Sequence, residues 1–484
     1  MRHDISSSFN QPDFQELLAK YEEMRQNHTH VYLETNELTR LAEYYAYQGN
    51  TRASEEVIDY GLKLHPENMD ILIYKCNNLA AKGKTNEALS LLNSIPDQND
   101  REVRLTYAGI CIERKDIEEA ERIFKQLAKE EEEDIITFLD IADIYMDANL
   151  GKQAYRWLQK AYSQAPNDIE VLESMADYHY SFQSIEQATV FYNKLLDENP
   201  YNIDYWIELT RCYLQTGEVE RGMEAVEFAL AIDDQNLTCI EMKGYCFQLL
   251  GDSESACKCY HHVEQVLTSK SRIQQVLLNC YFLDKKYKEA LEYCNKLLDG
   301  GELETFEKAS IYQKRAVCQL FYEQYQKCKE DIQNGLACDK EYGDLYIIQG
   351  ELFLTEGRMI EAENAFKKAE AFSMEKTETI LDITFTYMRY EYFEEALNIF
   401  LQMEKDDPEG IKRCHCYMAF CYYRIKNKEQ MFKYIVRSCV YNPTALINPK
   451  LIEHDIGEDR QFFVLAKEIM EQLQKGELDS SPYL

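Results

Sequence analysis

Two short runs of cysteine and histidine are the residues in this sequence best suited to metal chemistry. The first, CKCYHH at residues 257–262, places Cys257 and His261 four residues apart, on one face of a helix. The second is CHC at residues 414–416. Thiolate and imidazole are ligands that zinc prefers, yet neither run is accompanied by a fourth ligand. We therefore expect thiols that fill a core, no metal site and no cofactor.

Catalytic motifs are missing from the sequence. It contains no phosphate loop of the GxxxxGK[ST] type, no HExxH and no GxSxG, and no GxGxxG follows a strand pattern. Carboxylates are numerous, but no pair is distinguished by an apolar setting or a neighbouring base. The sequence therefore predicts no catalytic residues and a protein that is not an enzyme.

The charge balance restricts the partners. The chain has 484 residues, with 86 Asp and Glu against 53 Lys and Arg, and a formal net charge of −33. This excess repels nucleic-acid phosphates and anionic lipids, so we expect neither nucleic acid nor a membrane as partner. The 16 cysteines lack a compact spacing, and the N-terminus has no apolar signal region. Both features predict reduced thiols and a cytoplasmic location.

Few turn-forming residues interrupt the chain, because it has only 18 Gly and 9 Pro. Long helices joined by short loops are therefore expected. A small residue in a charged helical segment recurs at intervals of 32 to 38 residues, mostly 34. The recurring positions are Ser54, Ala88, Ala120, Ala154, Ala188, Gly222, Ala256, Ala290, Cys328, Ala362, Ala396 and Met431.

A second recurring position lies twelve residues before each of these. Eight of its twelve members are Ala or Gly. Two helices per unit, crossing at the two small positions, explain the pattern, because larger side chains would push the backbones apart. One such pair cannot bury its own apolar face, so neighbouring pairs must stack. The members are Ala42, Cys76, Ala108, Ala142, Ala176, Thr210, Gly244, Leu278, Ala316, Gly350, Thr384 and Ala419.

This unit resembles the tetratricopeptide repeat, a helix–turn–helix of 34 residues. Trp206, Tyr213 and Gly217 stand where that family has Trp, Tyr and Gly, and DLYIIQGELFLTEGRMIEAENAFKKAEAF is close to its consensus. The resemblance implies an all-α, right-handed α-solenoid of about twelve helix pairs with terminal capping helices.

Four segments follow from the repeat register. Residues 1–34 are expected to form an N-terminal tail and lead helix, 35–300 repeats one to eight, 301–445 repeats nine to twelve, and 446–484 a C-terminal capping helix and tail. The longest interval follows Gly300-Gly301, where either a hinge or a longer loop explains the extra residues.

The resemblance also implies a binding groove on the concave face, lined by positions 2, 5, 9 and 12 of each repeat. In repeats four and five these positions include Asp143, Glu170, Glu173, Asp177 and Tyr180. Arg211 is included in the candidate groove. Such a groove would attract a basic peptide. The alternative is that acidic residues are simply common in this chain.

In repeats eleven and twelve the same positions become apolar, with Phe385, Met388, Phe420 and Tyr423. An exposed stripe of this kind would serve as a hydrophobic docking groove. The alternative is that the amphipathic segment after residue 458 covers it.

These patterns favour a non-catalytic scaffold that binds a segment of a protein partner in the groove. The alternative is a structural module that assembles into a dimer through the ends of the array. A metal protein or enzyme using the Cys and His residues ranks last.

Overall fold

The computed structural model describes residues 9, 12–27, 29–182, 184–267, 270–300, 303–447 and 459–483. These residues form helices and connecting turns, and no strand occurs among them. The fold is therefore all-α, as predicted. No helix in the described ranges combines the length and the apolar character that crossing a bilayer requires.

The described part of the chain consists of helices joined by short turns. They are α1 Pro12–Asn27, α2 Thr35–Tyr47, α3 Thr51–Leu64, α4 Met69–Ala81, α5 Thr85–Leu92, α6 Arg101–Glu113, α7 Ile117–Glu130, α8 Ile135–Asp147, α9 Gly151–Gln164, α10 Ile169–Phe182, α11 Ile185–Glu198, α12 Ile203–Gln215, α13 Val219–Ile232 and α14 Leu237–Leu249. They continue with α15 Ser253–Val266, α16 Ser271–Leu283, α17 Tyr287–Asp299, α18 Thr305–Phe321, α19 Tyr325–Cys338, α20 Gly343–Thr355, α21 Met359–Phe372, α22 Lys376–Arg389, α23 Phe393–Asp406, α24 His415–Arg424, α25 Lys428–Tyr441, α26 Thr444–Ile447 and α27 Arg460–Gln474. A 3₁₀ turn, Gly410–Cys414, precedes α24.

The predicted repeat register matches these helices. From α2 to α25 they alternate as first and second helices of successive pairs. The chain divides into two compact units, residues 1–259 and 260–484, with the boundary inside α15. Gly301 lies outside the described residues, so the hinge at Gly300-Gly301 stays a prediction.

The small recurring residues lie in the core. Ala108, Ala142 and Ala154 are fully buried, and so are their counterparts Ala316 and Ala396 in the second unit. At Gly350 of α20 an added Cβ would come 2.3 Å from Cε1 of Phe366 on α21. The prediction that small residues allow close approach of the paired helices is thus confirmed.

Each unit also has one terminal helix outside the repeats. In the first unit, α1 buries Phe14 and Tyr21. In the second unit, α27 buries Phe462, Ala466 and Ile469. Both helices lie in the terminal segments, 1–34 and 446–484, where the sequence predicted a lead helix and a capping helix.

The residues that follow α27 contact α25. Residues Ser481–Tyr483 form a 3₁₀ turn. The carbonyl oxygen of Tyr483 accepts a hydrogen bond of 2.8 Å from Nε of Arg437, and the Tyr483 ring packs on Phe432 at 5.3 Å. The guanidinium on α25 therefore supplies the partner that the tail sequence does not reveal.

A buried ion pair fixes α18 against α19. Asp331 is 2% exposed, and its two carboxylate oxygens accept bonds of 2.8 and 2.6 Å from Nε and Nη2 of Arg315. Nη1 of the same guanidinium donates to Oδ1 of Asn295 at 2.7 Å. The fork geometry satisfies both oxygens of a carboxylate that water cannot reach.

We expect Gly350→Ala to destabilise the second unit. The new methyl group would overlap the Phe366 ring, at a cost of about 1–3 kcal/mol. This exceeds the helix-propensity gain of about 1 kcal/mol for replacing Gly by Ala. Amide hydrogen exchange in α20 and α21 should accelerate. Gly109→Ala is the control, because its nearest contact would be an ordinary 3.8 Å; equal or greater protection in Gly350→Ala would contradict the packing argument.

We also expect Arg315→Met to lower stability by about 3–5 kcal/mol, because it leaves the Asp331 carboxylate buried without a counter-charge. Urea unfolding measures the loss of stability, and amide hydrogen exchange shows whether α18 and α19 open more easily. The double variant Arg315→Met with Asp331→Leu should regain most of the loss. A double variant as unstable as the single one would show that packing, not charge, dominates here.

Candidate functional site

In the first unit, α9 differs in charge from the first helices that lie near it in the sequence. The first helices α8, α10 and α12 together carry eight carboxylates and one arginine. The second helix α9, between α8 and α10, carries three basic residues and no acidic one. The next second helices, α11 and α13, each carry three carboxylates, so the contrast in charge lies between α9 and the first helices. The segregation thus gives the first helices a distinct acidic face, defined here as Asp143, Glu170, Glu173, Asp177 and Glu208.

Two of these carboxylates are held by tyrosine hydroxyls. Tyr205 on α12 donates a hydrogen bond to Oε1 of Glu173 on α10. Tyr192 on α11 donates to Oδ1 of Asp177 at 3.2 Å. Burial, reinforced by the neighbouring carboxylate, raises the pKa of each tyrosine well above its ordinary value. Both hydroxyls therefore remain neutral donors at physiological pH and bring no positive charge to the carboxylates.

Glu208 on α12 joins this group, although it was not among the predicted groove residues. The carboxylates of Asp177 and Glu208 both raise the pKa of Tyr192, after the larger effect of burial, so both lie near its hydroxyl. Arg211 binds Glu208 at 2.5 Å, one turn along the same helix. That spacing of three residues is the sequence signal that could have revealed Glu208.

The predicted groove residues differ in accessibility. Asp143 on α8 and Glu170 on α10 are exposed, whereas Glu173 and Asp177 are half-buried. Tyr180 is also half-buried. Burial raises the pKa of its hydroxyl; the nearby Glu208 carboxylate raises it further, whereas the Arg211 guanidinium lowers it. The structure thus brings Tyr180, Glu208 and Arg211 together on neighbouring first helices.

The apolar stripe predicted for repeats eleven and twelve is not open. Met388 and Phe420 are 3% and 1% exposed, so a docking groove that includes them is corrected to a packed core. The ring of Phe420 lies 5.3 Å from that of Phe462 on α27. The amphipathic helix after residue 458 covers this part of the stripe, which is the alternative that the sequence left open.

The other two residues of the stripe are half-buried. The ring of Phe385 lies 4.8 Å from that of Tyr417. Tyr423 packs on Phe462 at 5.5 Å, and its hydroxyl lies 3.5 Å from Oε1 of Gln461. Both side chains therefore make contacts within the second unit that a partner would have to replace.

The Cys and His runs have partners of other kinds. Nε2 of His261 lies 2.7 Å from the Tyr281 hydroxyl, and its Nδ1 lies 3.4 Å from Oε2 of Glu264. Burial raises the pKa of Cys414 to about 11 and of Cys416 to about 12, which keeps these thiols protonated. Within the described ranges no three His, Cys, Asp or Glu side chains are grouped as metal ligands would be.

Comparison with protein families identifies the repeat. The family model described as "Tetratricopeptide repeat" matches residues 112–178, which run from the end of α6 into α10. Residues 112–178 thus match the tetratricopeptide repeat. The fold of the chain is the helical-repeat solenoid predicted from the small-residue register, and proteins with such repeats are generally non-catalytic scaffolds for protein partners.

Curated relatives are distant. The chain is 27% identical over 132 residues to a protein of Bos taurus, "BBSome complex member BBS4", a match that covers 27% of this chain and 24% of that one. It is 19% identical over 278 residues to "Lipopolysaccharide assembly protein B" of Escherichia coli K12, covering 56% of this chain and 71% of the relative. The chain thus spans about a quarter of the length of the bovine relative.

Solved structures show low similarity. The match to a tetratricopeptide repeat protein from Parabacteroides merdae covers 52% of this chain and 98% of that protein, with 16% identity and a TM-score of 0.41. The match to a chain of the "APC/C hetero-tetramer Cut9-Hcn1" covers 94% of this chain and 96% of that chain, with 12% identity and a TM-score of 0.36.

We expect Phe462→Asp to uncover the apolar stripe. Loss of this fully buried ring should cost about 3–5 kcal/mol, and the new carboxylate should release α27. Binding of the dye ANS should then rise, and the protein should associate at lower concentration. Val464→Asp is the matched control, since Val464 lies on the same helix and is 58% exposed. Unchanged dye binding in Phe462→Asp would contradict the covering role of α27.

Proposed function

We propose that this protein is a non-catalytic scaffold whose first unit binds a basic segment of a partner protein on the acidic face. The observation that carries the proposal is the segregation of charge: eight carboxylates and one arginine on α8, α10 and α12, beside three basic residues alone on α9. Carboxylates on neighbouring helices repel one another, and a Lys- or Arg-bearing segment relieves that repulsion.

The single arginine on these three helices does not neutralise the acidic face. Two of the eight carboxylates are already paired with arginine: Glu208 with Arg211 at 2.5 Å, and Asp140 with Arg101 of α6. Tyr205 and Tyr192 hold Glu173 and Asp177 without neutralising them. The face therefore keeps most of its negative charge while several of its side chains are fixed in place.

The accessible carboxylates are the ones to test. Reversing Glu173 or Asp177 would break a hydrogen bond to a buried tyrosine and mix stability with binding. Asp143 and Glu170 are exposed, so Asp143→Lys with Glu170→Lys changes the face with less effect on the core. Glu220→Lys with Glu224→Lys on α13 is the matched control, because both residues are exposed and the net charge changes equally.

The probe is a fluorescein-labelled peptide in which Lys alternates with Ser, followed by fluorescence anisotropy. Asp143→Lys with Glu170→Lys should weaken binding about tenfold or more, and affinity should fall as salt screens the charges. The control pair should change affinity much less. Equal losses in both pairs would mean that net charge alone attracts the peptide, which would refute a defined face.

A further inference from the structure

The exposed side of α9 is basic in a strongly acidic chain. Lys152, Arg156 and Lys160 follow one another at intervals of four residues and are all exposed. None of them forms an ion pair with any described residue. Lys160 instead lies over the Trp157 ring, with Nζ 3.8 Å from its centroid. We call these three residues the basic stripe.

An open cavity of about 580 Å³ adjoins the basic stripe, between α9, α10 and α11. This volume lies within the range of small-ligand pockets. Aromatic rings form much of its wall, and amide and hydroxyl groups lie at its exposed edge. The residues that matter here are Tyr155, Tyr162, His179, Phe191, Gln159 and Ser163.

The rings of this cavity are packed against one another. His179 stacks on Phe191 with centroids 5.3 Å apart and an interplanar angle of 11°. Tyr162 meets Phe191 edge-on at 5.7 Å. Burial lowers the pKa of His179, so its imidazole is neutral at physiological pH, and its buried Nδ1 has no hydrogen-bond partner among the described residues. The wall is therefore apolar and aromatic, with one polar group unsatisfied.

A further positive charge lies beside the rings. Nζ of Lys194 on α11 lies 2.7 Å from the Tyr162 hydroxyl and 5.1 Å from the Phe191 ring centroid. The cavity lining contains no carboxylate. A neighbouring groove shares Gln159 and Ser163 and contributes one carboxylate, Glu133. The cavity lining itself is uncharged, and the positive charge beside it comes from Arg156 and Lys160 in the neighbouring groove and from Lys194.

We propose that this surface is a second binding site, which takes an acidic segment of a partner protein and inserts one aromatic side chain of that segment into the cavity. Carboxylates flanking the aromatic residue would pair with the basic stripe and with Lys194. The site has the opposite charge to the acidic face and does not depend on the function proposed above.

The spacing of the bases favours a peptide over a compact anion. Residues four apart on a helix are separated by about 6 Å along its axis, so the stripe extends over about 12 Å. In an extended peptide, alternate side chains are about 6.6–6.8 Å apart on one side. An extended segment with Glu at every second position therefore matches the stripe, whereas a nucleotide concentrates its phosphates at one end.

The experiment uses the full chain and a fluorescein-labelled peptide in which Glu alternates with Ser around one central Phe. Anisotropy should show saturable binding that weakens with salt. Lys152→Gln with Arg156→Gln and Lys160→Gln should weaken it about tenfold or more. Ser163→Trp should also weaken it, because the indole would fill the cavity mouth. A peptide with Ala in place of Phe should bind more weakly, as should one with Gln in place of Glu.

Several outcomes would overturn the proposal. Equal affinity for the Glu and Gln peptides, or an unchanged affinity in the triple variant, would exclude charge pairing with the stripe. If ATP displaces the peptide, and the same variants no longer bind ATP, the site belongs to a nucleotide. A concentration-dependent mass in light scattering, abolished by the triple variant, would make a second copy of the chain the occupant.

The two sites can be tested separately. The triple variant of the basic stripe should still bind the Lys-containing peptide, which also shows that the first unit remains folded. Conversely, Asp143→Lys with Glu170→Lys should leave binding of the acidic peptide within about twofold. Joint loss of both peptides in the triple variant, with normal circular dichroism, would contradict two independent surfaces.

Discussion

The close approach of paired helices is the constraint on which the rest of the structure depends. Within a pair, a carbon added at Gly350 would come 2.3 Å from the Phe366 ring; between successive pairs, a carbon added at Gly335 of α19 would come 2.6 Å from Cδ1 of Leu345 on α20. Two helices packed this closely bury only a narrow apolar stripe against each other. Their remaining apolar surface is buried by the neighbouring pairs. Stability is therefore shared between neighbours, and each unit needs a terminal helix, such as α1 or α27, where its series of pairs stops.

The same constraint leaves the outer faces of the helices free to differ. The core requires small and apolar residues at fixed positions, but it does not specify the charge of the side chains between them. Within one repeat, α8 carries only acidic charged residues and α9 only basic ones. Surfaces of opposite sign can thus coexist on one fold. Any partner specificity must come from these variable positions, not from the repeat register.

The register was predictable because it depends on local sequence, and the site was only partly predictable because it depends on contacts between distant residues. The small residues and their spacing predicted the helix pairs, and the amphipathic segment after residue 458 predicted α27. Glu208 was missed because it lies outside the positions expected to line a groove. Phe420 was placed in a possible groove because its burial depends on Phe462, more than forty residues away. The contact of the tail with Arg437 was not predicted, since nothing near the tail in sequence reveals Arg437 as its partner.

Tyrosine, of which the chain has 36, provides hydrogen bonds without positive charge. Tyr205 and Tyr192 fix carboxylates of the acidic face, and Tyr145 does the same for Glu121 at 2.7 Å. A lysine or arginine in these places would orient the carboxylate equally well but would erase its field. Because phenols leave the field intact, the rigid acidic surface can act on an approaching cation over the Debye length of about 8 Å at physiological salt. The same carboxylates are thereby held in place by tyrosine and remain able to attract a cation at long range.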